Sequence, residues 1–201
     1  MVFLTLVRHG QSIYNLENRF TGSLDVELTA VGKEEALRAG HKLKGNHYDV
    51  AYTSMLKRAQ ESLEIILKEI GQTNIPVTKN SALDERSYGS LQGLNKADTI
   101  KKYGVAQVEL WRRSYAVRPP DGESLEDTYK RTIPYYQSEI EPKLRANENT
   151  LIVAHGNSLR ALMMYLESID AQAIAKVDLP TGIPRHYVFD SNLKIRGVTS
   201  L

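Results

Sequence analysis

Apolar residues in this chain come in short unbroken runs, and most runs are followed by a segment with helical periodicity. Val2 to Val7 is the first run, rich in strand formers and free of charge, as expected of a strand buried on both faces. Thr29 then opens "TAVGKEEALRAGHKLKG", where Val31, Ala36, Leu37, Gly40 and Leu43 recur at helical spacing. "DVAYT" (49–53) reads as a second strand. Ser54 is the expected N-cap of a helix that gathers Leu56, Leu63, Ile66, Leu67 and Ile70 on one face and ends at Gly71. "IPVT" (75–78) is a third strand. "NTLIVAH" (149–155) is a fourth, leading into a helix through "LRALMMYLES". "IPRHYVFD" and "LKIRGV" read as a closing hairpin at a sheet edge.

Residues 83–123 break this rhythm. They are polar, punctuated by glycine and rich in Arg, Lys and Tyr, and they read as a lid-like insertion with short helices near 95–113. A longer helix follows from Ser124, with Asp127 completing a capping-box-like start, and Pro134 and Pro142 are expected to kink or end it. Strands alternating with helices predict a single α/β domain over 1–201: three αβα layers, with a mostly parallel sheet flanked by helices. Ligands of such folds sit beyond the carboxyl ends of the strands. Arg8 and His9 follow the first strand, Ser54 and Arg58 the second, and His155, Gly156 and Asn157 the fourth. Two histidines and two arginines are thus directed to one crevice.

Composition narrows the chemistry. The 26 Lys plus Arg against 24 Asp plus Glu leave a net charge of +2, too even for a nucleic-acid or anionic-membrane binder, so any anion site is a local concentration of cations. Zero cysteines exclude disulfides, thiolate nucleophiles and Cys-based zinc sites. "MVFLTLVRHG" has no basic leader and too short an apolar run for a signal or membrane segment, which gives a cytoplasmic expectation.

Arg58 falls in the first turn of its helix, where a cation opposes the macrodipole at a cost of about 0.3–1 kcal/mol. A bound phosphate would reverse that cost, using the helix N–H groups and the guanidinium together. A metal is the rival use of two histidines, but there is no HExxH motif or carboxylate-rich cluster, and the arginines would repel a cation. The remaining reading is a nucleophilic histidine forming a phosphohistidine, with Arg8, Arg58 and His155 meeting the charge on the transferring oxygens. Proton transfer then needs a carboxyl group nearby. Asp84 and Glu85 follow the third strand, and Glu85, beside Arg86, is the candidate.

"LVRHGQSIYNLENRFTG" resembles the signature of the histidine phosphatase superfamily. The longer set "RHGQSIYNLENRFTGSLDVELTAVGKEEA", "TSMLKRAQES", "LDERSYGSLQGLNKADT", "LWRRSY" and "IVAHGNSLRAL" resembles its cofactor-dependent phosphoglycerate mutases across nearly the whole chain. The resemblance implies that His9 is the phosphohistidine, that Glu85 is the proton donor and acceptor, and that Arg8, Arg58 and His155 surround the transferring group. It places Gln11, Ser12, Asn15, Thr21 and Gly22 in a substrate loop. Arg86, Tyr88, Lys96, Arg112, Arg113, Gly156 and Asn157 would hold the rest of the substrate.

The implied reaction is interconversion of 3- and 2-phosphoglycerate in glycolysis and gluconeogenesis, primed by 2,3-bisphosphoglycerate and without a metal. Synthase and phosphatase side activities accompany it, and the oligomeric state is left open. Arg86, Lys96, Arg112 and Arg113 would form a second cationic pole, which a substrate with phosphate at one end and carboxylate at the other requires. The alternative is a phosphatase of other small phosphate esters using the same histidine; a non-catalytic phosphate-binding module is the third reading. Tyr14 and Ser23 stand where the family commonly has tryptophan, and Ser87 where many members have histidine. The lid and the C-terminal tail, expected to exclude water from the site, are shorter than in the longer members.

Overall fold

The computed structural model describes all 201 residues. Its centre is a six-stranded sheet of β1 (Val2–Arg8), β2 (Val50–Thr53), β3 (Val77–Lys79), β4 (Thr150–Ala154), β5 (Pro184–Phe189) and β6 (Ile195–Ser200), in the order β3-β2-β4-β1-β5-β6. β1 to β4 run parallel, while β5 and β6 are antiparallel additions on the β1 side. The eight helices are α1 (Ile13–Leu16), α2 (Ala30–Leu43), α3 (Lys57–Glu69), α4 (Lys96–Tyr103), α5 (Val105–Arg113), α6 (Leu125–Tyr135), α7 (Glu141–Arg145) and α8 (Gly156–Glu167).

The period-two alternation of a strand explains why the sheet runs are continuously apolar. Leu4, Leu6, Ile152 and Ala154 join the larger core with Ile133, Leu144, Leu159 and Leu162 from α6, α7 and α8. Val7, Leu151 and Val153 point the other way, into a second core with Ala36, Ala39 and Leu43 of α2 and Leu63, Ile66 and Leu67 of α3. This is the three-layer αβα arrangement expected, closed by the expected β5–β6 edge hairpin.

Three local differences from the sequence reading have physical causes. The Ser54 hydroxyl accepts from Leu56 N at 3.1 Å and meets His155 Nε2 at 2.7 Å, so α3 begins only at Lys57. The N–H of Lys57 is satisfied from a distance, by Asp25 Oδ1 at 2.8 Å. Pro134 lies inside α6, which passes into a wider π turn over Tyr136–Ile140, and Pro142 opens α7. The third difference concerns the C-terminal tail. It is edge strand β6, with Leu201 N bonded to Pro184 O, and it does not cover the crevice.

The 83–123 segment carries α4 and α5 and is fastened by a small core of its own, Phe20, Leu91, Val108 and Trp111. Phe20 comes from the connection between α1 and α2, so the segment and that connection form one wall.

Candidate active site

The cavity at the carboxyl ends of β1, β2 and β4 is lined by 18 residues, only 3 of them hydrophobic. Seven cations line it (Arg8, Arg19, Arg58, Lys96, Arg112, Arg113 and Arg160) against two carboxylates, Glu85 and Asp178. A balanced chain has thus concentrated its positive charge in one place.

His9 sits one residue past β1, and its N–H continues the ladder to Ala154 O at 3.0 Å. Gly10 is pressed onto α2: a Cβ there would lie 2.0 Å from Gly32 O. Backbone-to-backbone contact of this kind fixes the loop carrying the imidazole. His9 Nδ1 lies 2.7 Å from the carbonyl of Gly10, and Arg58 Nε lies 3.3 Å from His9 Nε2. A carbonyl only accepts and a guanidinium only donates, so the proton is on Nδ1 and the lone pair is on Nε2. Burial first, then the charges of Arg58 and Arg8, hold His9 well below its ordinary pKa of 6.5. The neutral, nucleophilic form is therefore the resting form.

Arg58 is fully buried and donates to Leu24 O at 2.8 Å and Gly22 O at 2.9 Å. Burial brings its pKa down to about 10, which leaves it charged at neutral pH. Arg8 reaches Leu179 O at 3.0 Å. His155, also fully buried, lies behind the cavity lining, its ring centroid 4.9 Å from that of His9. Burial, followed by the charge of Arg58, lowers its pKa well below 6.5.

Glu85 Oε1 accepts from the backbone N–H of Arg86 at 2.9 Å and of Asn157 at 3.2 Å. The other oxygen faces the space beside Gly156, where a Cβ would lie 3.7 Å from Glu85 Oε2 and 3.6 Å from Arg8 Nε. Chain on both sides of Glu85 is gripped from outside the cavity. Arg131 donates to Ala82 O and Asp84 O, both at 2.9 Å, and pairs with Glu123 at 3.2 Å. Glu123 Oε2 in turn accepts from Ser87 N at 2.8 Å.

Asn15, Thr21, Gly22, Tyr88, Lys96, Arg112, Arg113, Gly156 and Asn157 line the cavity with Arg8, His9, Arg58 and Glu85. Gln11, Ser12, Arg86 and His155 do not. The Gln11 side chain is taken by Thr29 at 2.9 Å, and Ser12 caps α1 in a reciprocal pair with Asn15. Arg86 is fully buried and donates to Trp111 O at 2.6 Å and Arg112 O at 2.8 Å, so its charge braces the end of α5. Burial and the neighbouring arginines lower Lys96 to about 8.

Sequence reasoning missed Arg19, Phe20, Arg160, Asp178 and Leu179. Arg160 was legible in principle, three residues after Asn157 and so on the same helix face, and its Nη1 donates to Asn157 Oδ1 at 3.0 Å. Asp178 and Leu179 carry no local signal. Of the family-pattern departures, Tyr14 lies under Arg19 at 5.4 Å, while Ser23 donates its N–H to Gln92 Oε1 at 2.9 Å. No group of three or more His, Cys, Asp or Glu is placed to hold a metal, and no helix is long and apolar enough to cross a membrane.

A neutral histidine at a strand end, its Nε2 lone pair turned to an arginine and a second arginine nearby, is suited to phosphohistidine chemistry. The family model of the histidine phosphatase superfamily (branch 1) matches residues 4–192, and the chain belongs to that superfamily. Within it, the chain is 58% identical over 199 residues to the 2,3-bisphosphoglycerate-dependent phosphoglycerate mutase of Cytophaga hutchinsonii, covering 99% of this chain and 93% of that protein. The like-named protein of Afipia carboxidovorans is 52% identical over 200 residues, with 98% and 97% covered. Among solved structures, Bacillus stearothermophilus YhfR superposes with a TM-score of 0.84 at 26% identity, over 98% of this chain and 95% of that one. A mycobacterial glucosyl-3-phosphoglycerate phosphatase superposes at 0.85 with 24% identity, over 100% and 97%, a likeness of fold.

Proposed function

We propose that this protein interconverts 3-phosphoglycerate and 2-phosphoglycerate through a phosphorylated His9. The observation that carries the reading is a cavity with two cationic groups: Arg8 and Arg58 beside the His9 nucleophile, and Lys96, Arg112 and Arg113 on the wall built by α4 and α5. A substrate with phosphate at one end and carboxylate at the other is matched by two such groups; a phosphate monoester with a neutral remainder is matched by one. The names of relatives at 52–58% identity support the same substrate.

His9 Nε2 attacks phosphorus as the bond from phosphorus to the ester oxygen breaks, and the Nδ1 proton stays in place, hydrogen-bonded to the Gly10 carbonyl. Arg8 and Arg58, held in place by their carbonyl contacts, offset the charge on the equatorial oxygens, and the Arg58 Nε–H passes from His9 Nε2 to a phosphoryl oxygen as the lone pair is used. Glu85 Oε2 gives the departing oxygen its proton, then takes a proton from the hydroxyl that accepts the phosphoryl group in the return step. His155 supports His9 at close range and adds no charge in its neutral form. The cavity's cations fit 2,3-bisphosphoglycerate: Arg8 and Arg58 would hold one phosphate, and Lys96, Arg112 and Arg113 the remainder. When bound, that cofactor supplies the phosphoryl group that primes His9.

Incubation with labelled 2,3-bisphosphoglycerate should leave acid-labile phosphate on His9, which 3-phosphoglycerate then chases into 2-phosphoglycerate. A chase into inorganic phosphate alone overturns the mutase reading in favour of a phosphatase of small esters.

A further inference from the structure

The cavity's second carboxylate is not explained by phosphoryl transfer. Asp178 lies in the connection from α8 to β5, at the mouth, with its side chain 64% exposed. It faces Arg113 Nη1 at 3.4 Å. The next residue, Leu179, gives its carbonyl to Arg8 at 3.0 Å. Two consecutive residues of one connection therefore touch one cation from each end of the cavity. The start of this strap is tied to the same wall: Arg160 Nη2 donates to Ile174 O at 2.6 Å and to Arg113 O at 3.3 Å.

An acidic side chain among seven cations is a counter-charge for whichever of them it reaches. We propose that Asp178 is a specificity-determining residue: it occupies Arg113 while the cavity holds no distal anion, and a ligand's distal anionic group must displace it. This rests on the reading that the cavity takes a two-ended anion. A ligand with a single phosphate, seated at His9, leaves the Asp178–Arg113 pair intact. A ligand that also reaches Arg113 breaks the pair, and so binds less tightly than its charge alone would allow. For an enzyme that must release a two-ended product on every turnover, the pair keeps the cationic wall from holding that product too long.

The test is calorimetric titration of inorganic phosphate and of 2,3-bisphosphoglycerate into the wild type, Asp178→Asn and Asp178→Glu. An exposed pair of this kind corresponds to an affinity change of about two- to fivefold. Asp178→Asn should tighten 2,3-bisphosphoglycerate by that factor and leave inorganic phosphate unchanged, while Asp178→Glu should keep the wild-type ratio. The gain should shrink at high salt, as a charge effect must. Steady-state turnover should show the same gain as a lower KM for phosphoglycerate. Unchanged or weaker bisphosphoglycerate binding by Asp178→Asn overturns the inference while leaving the proposed function standing. A wild type that binds phosphate but not bisphosphoglycerate overturns both.

Discussion

Lowering the pH from about 7 to about 5.5 should destabilise this protein by an amount that its two buried histidines determine. His9 and His155 are both held well below 6.5, chiefly by burial, so the folded chain keeps them neutral while the unfolded chain protonates them. The unfolded state therefore binds more protons, and stability is intact above the unfolded pKa and falls as the pH drops below it. While the folded imidazole stays neutral, each histidine contributes a loss of about 1.3 kcal/mol over this interval, and the pair about 2.5 kcal/mol. His186 is shifted the same way by partial burial and adds to the fall. Asp127 is depressed too, but its contribution is lost only as the pH falls below the ordinary carboxylate range, outside this window. Urea unfolding at intervals from pH 7 to pH 5.5 measures the slope. His155→Asn should remove about 1.3 kcal/mol of the pH-dependent loss, whatever it does to absolute stability. Equal losses in wild type and variant would refute the reasoning, because His155 would then be protonated in the fold.

Two other outcomes are expected from the geometry around the site. Gly32→Ala should cost about 1–3 kcal/mol although alanine favours a helix, because its Cβ would lie 2.1 Å from Gln11 O; Gly197→Ala, with nothing within 4 Å, should be neutral or slightly stabilising in the same thermal melts. Arg131→Ala frees the chain around Glu85 without touching the cavity lining, and should lower kcat by about 10- to 100-fold with a smaller change in KM; Arg131→Lys should restore part of that loss in steady-state assays.

Much of this fold is legible in the sequence because a strand buried on both faces must be apolar at every position. Leu151–Ala154 satisfies that rule, and Val2–Val7 does so but for Thr5, whose buried hydroxyl meets Tyr48 Oη and His186 Nδ1 at 2.9 Å; the residues immediately after each run are directed to the crevice. Arg8, His9 and Arg58 could be placed for the same reason. Arg86 could not. Its sequence neighbourhood is that of a cavity cation, and only the path of α5 turns its guanidinium toward backbone carbonyls. Ser54 escapes a local reading because an N-cap preference is set by near neighbours, while its hydroxyl answers to a histidine 101 residues away. Asp178 shows the opposite limit. An exposed acid in a connecting segment has no periodicity to betray it, and its role comes from a partner 65 positions distant.

The position of β1 in the sheet also bears on when the site comes into being. The strand that carries His9 is synthesised first, yet it pairs with β4 on one side and β5 on the other, and Arg8 O awaits the N–H of Gly182. At roughly 5–20 residues per second, a ribosome needs on the order of 10–35 seconds between those two segments. β4 is made only late in that interval, so β1 has no strand neighbour for most of it. His9 is made well before the strands and the Gly182 contact that hold it in place.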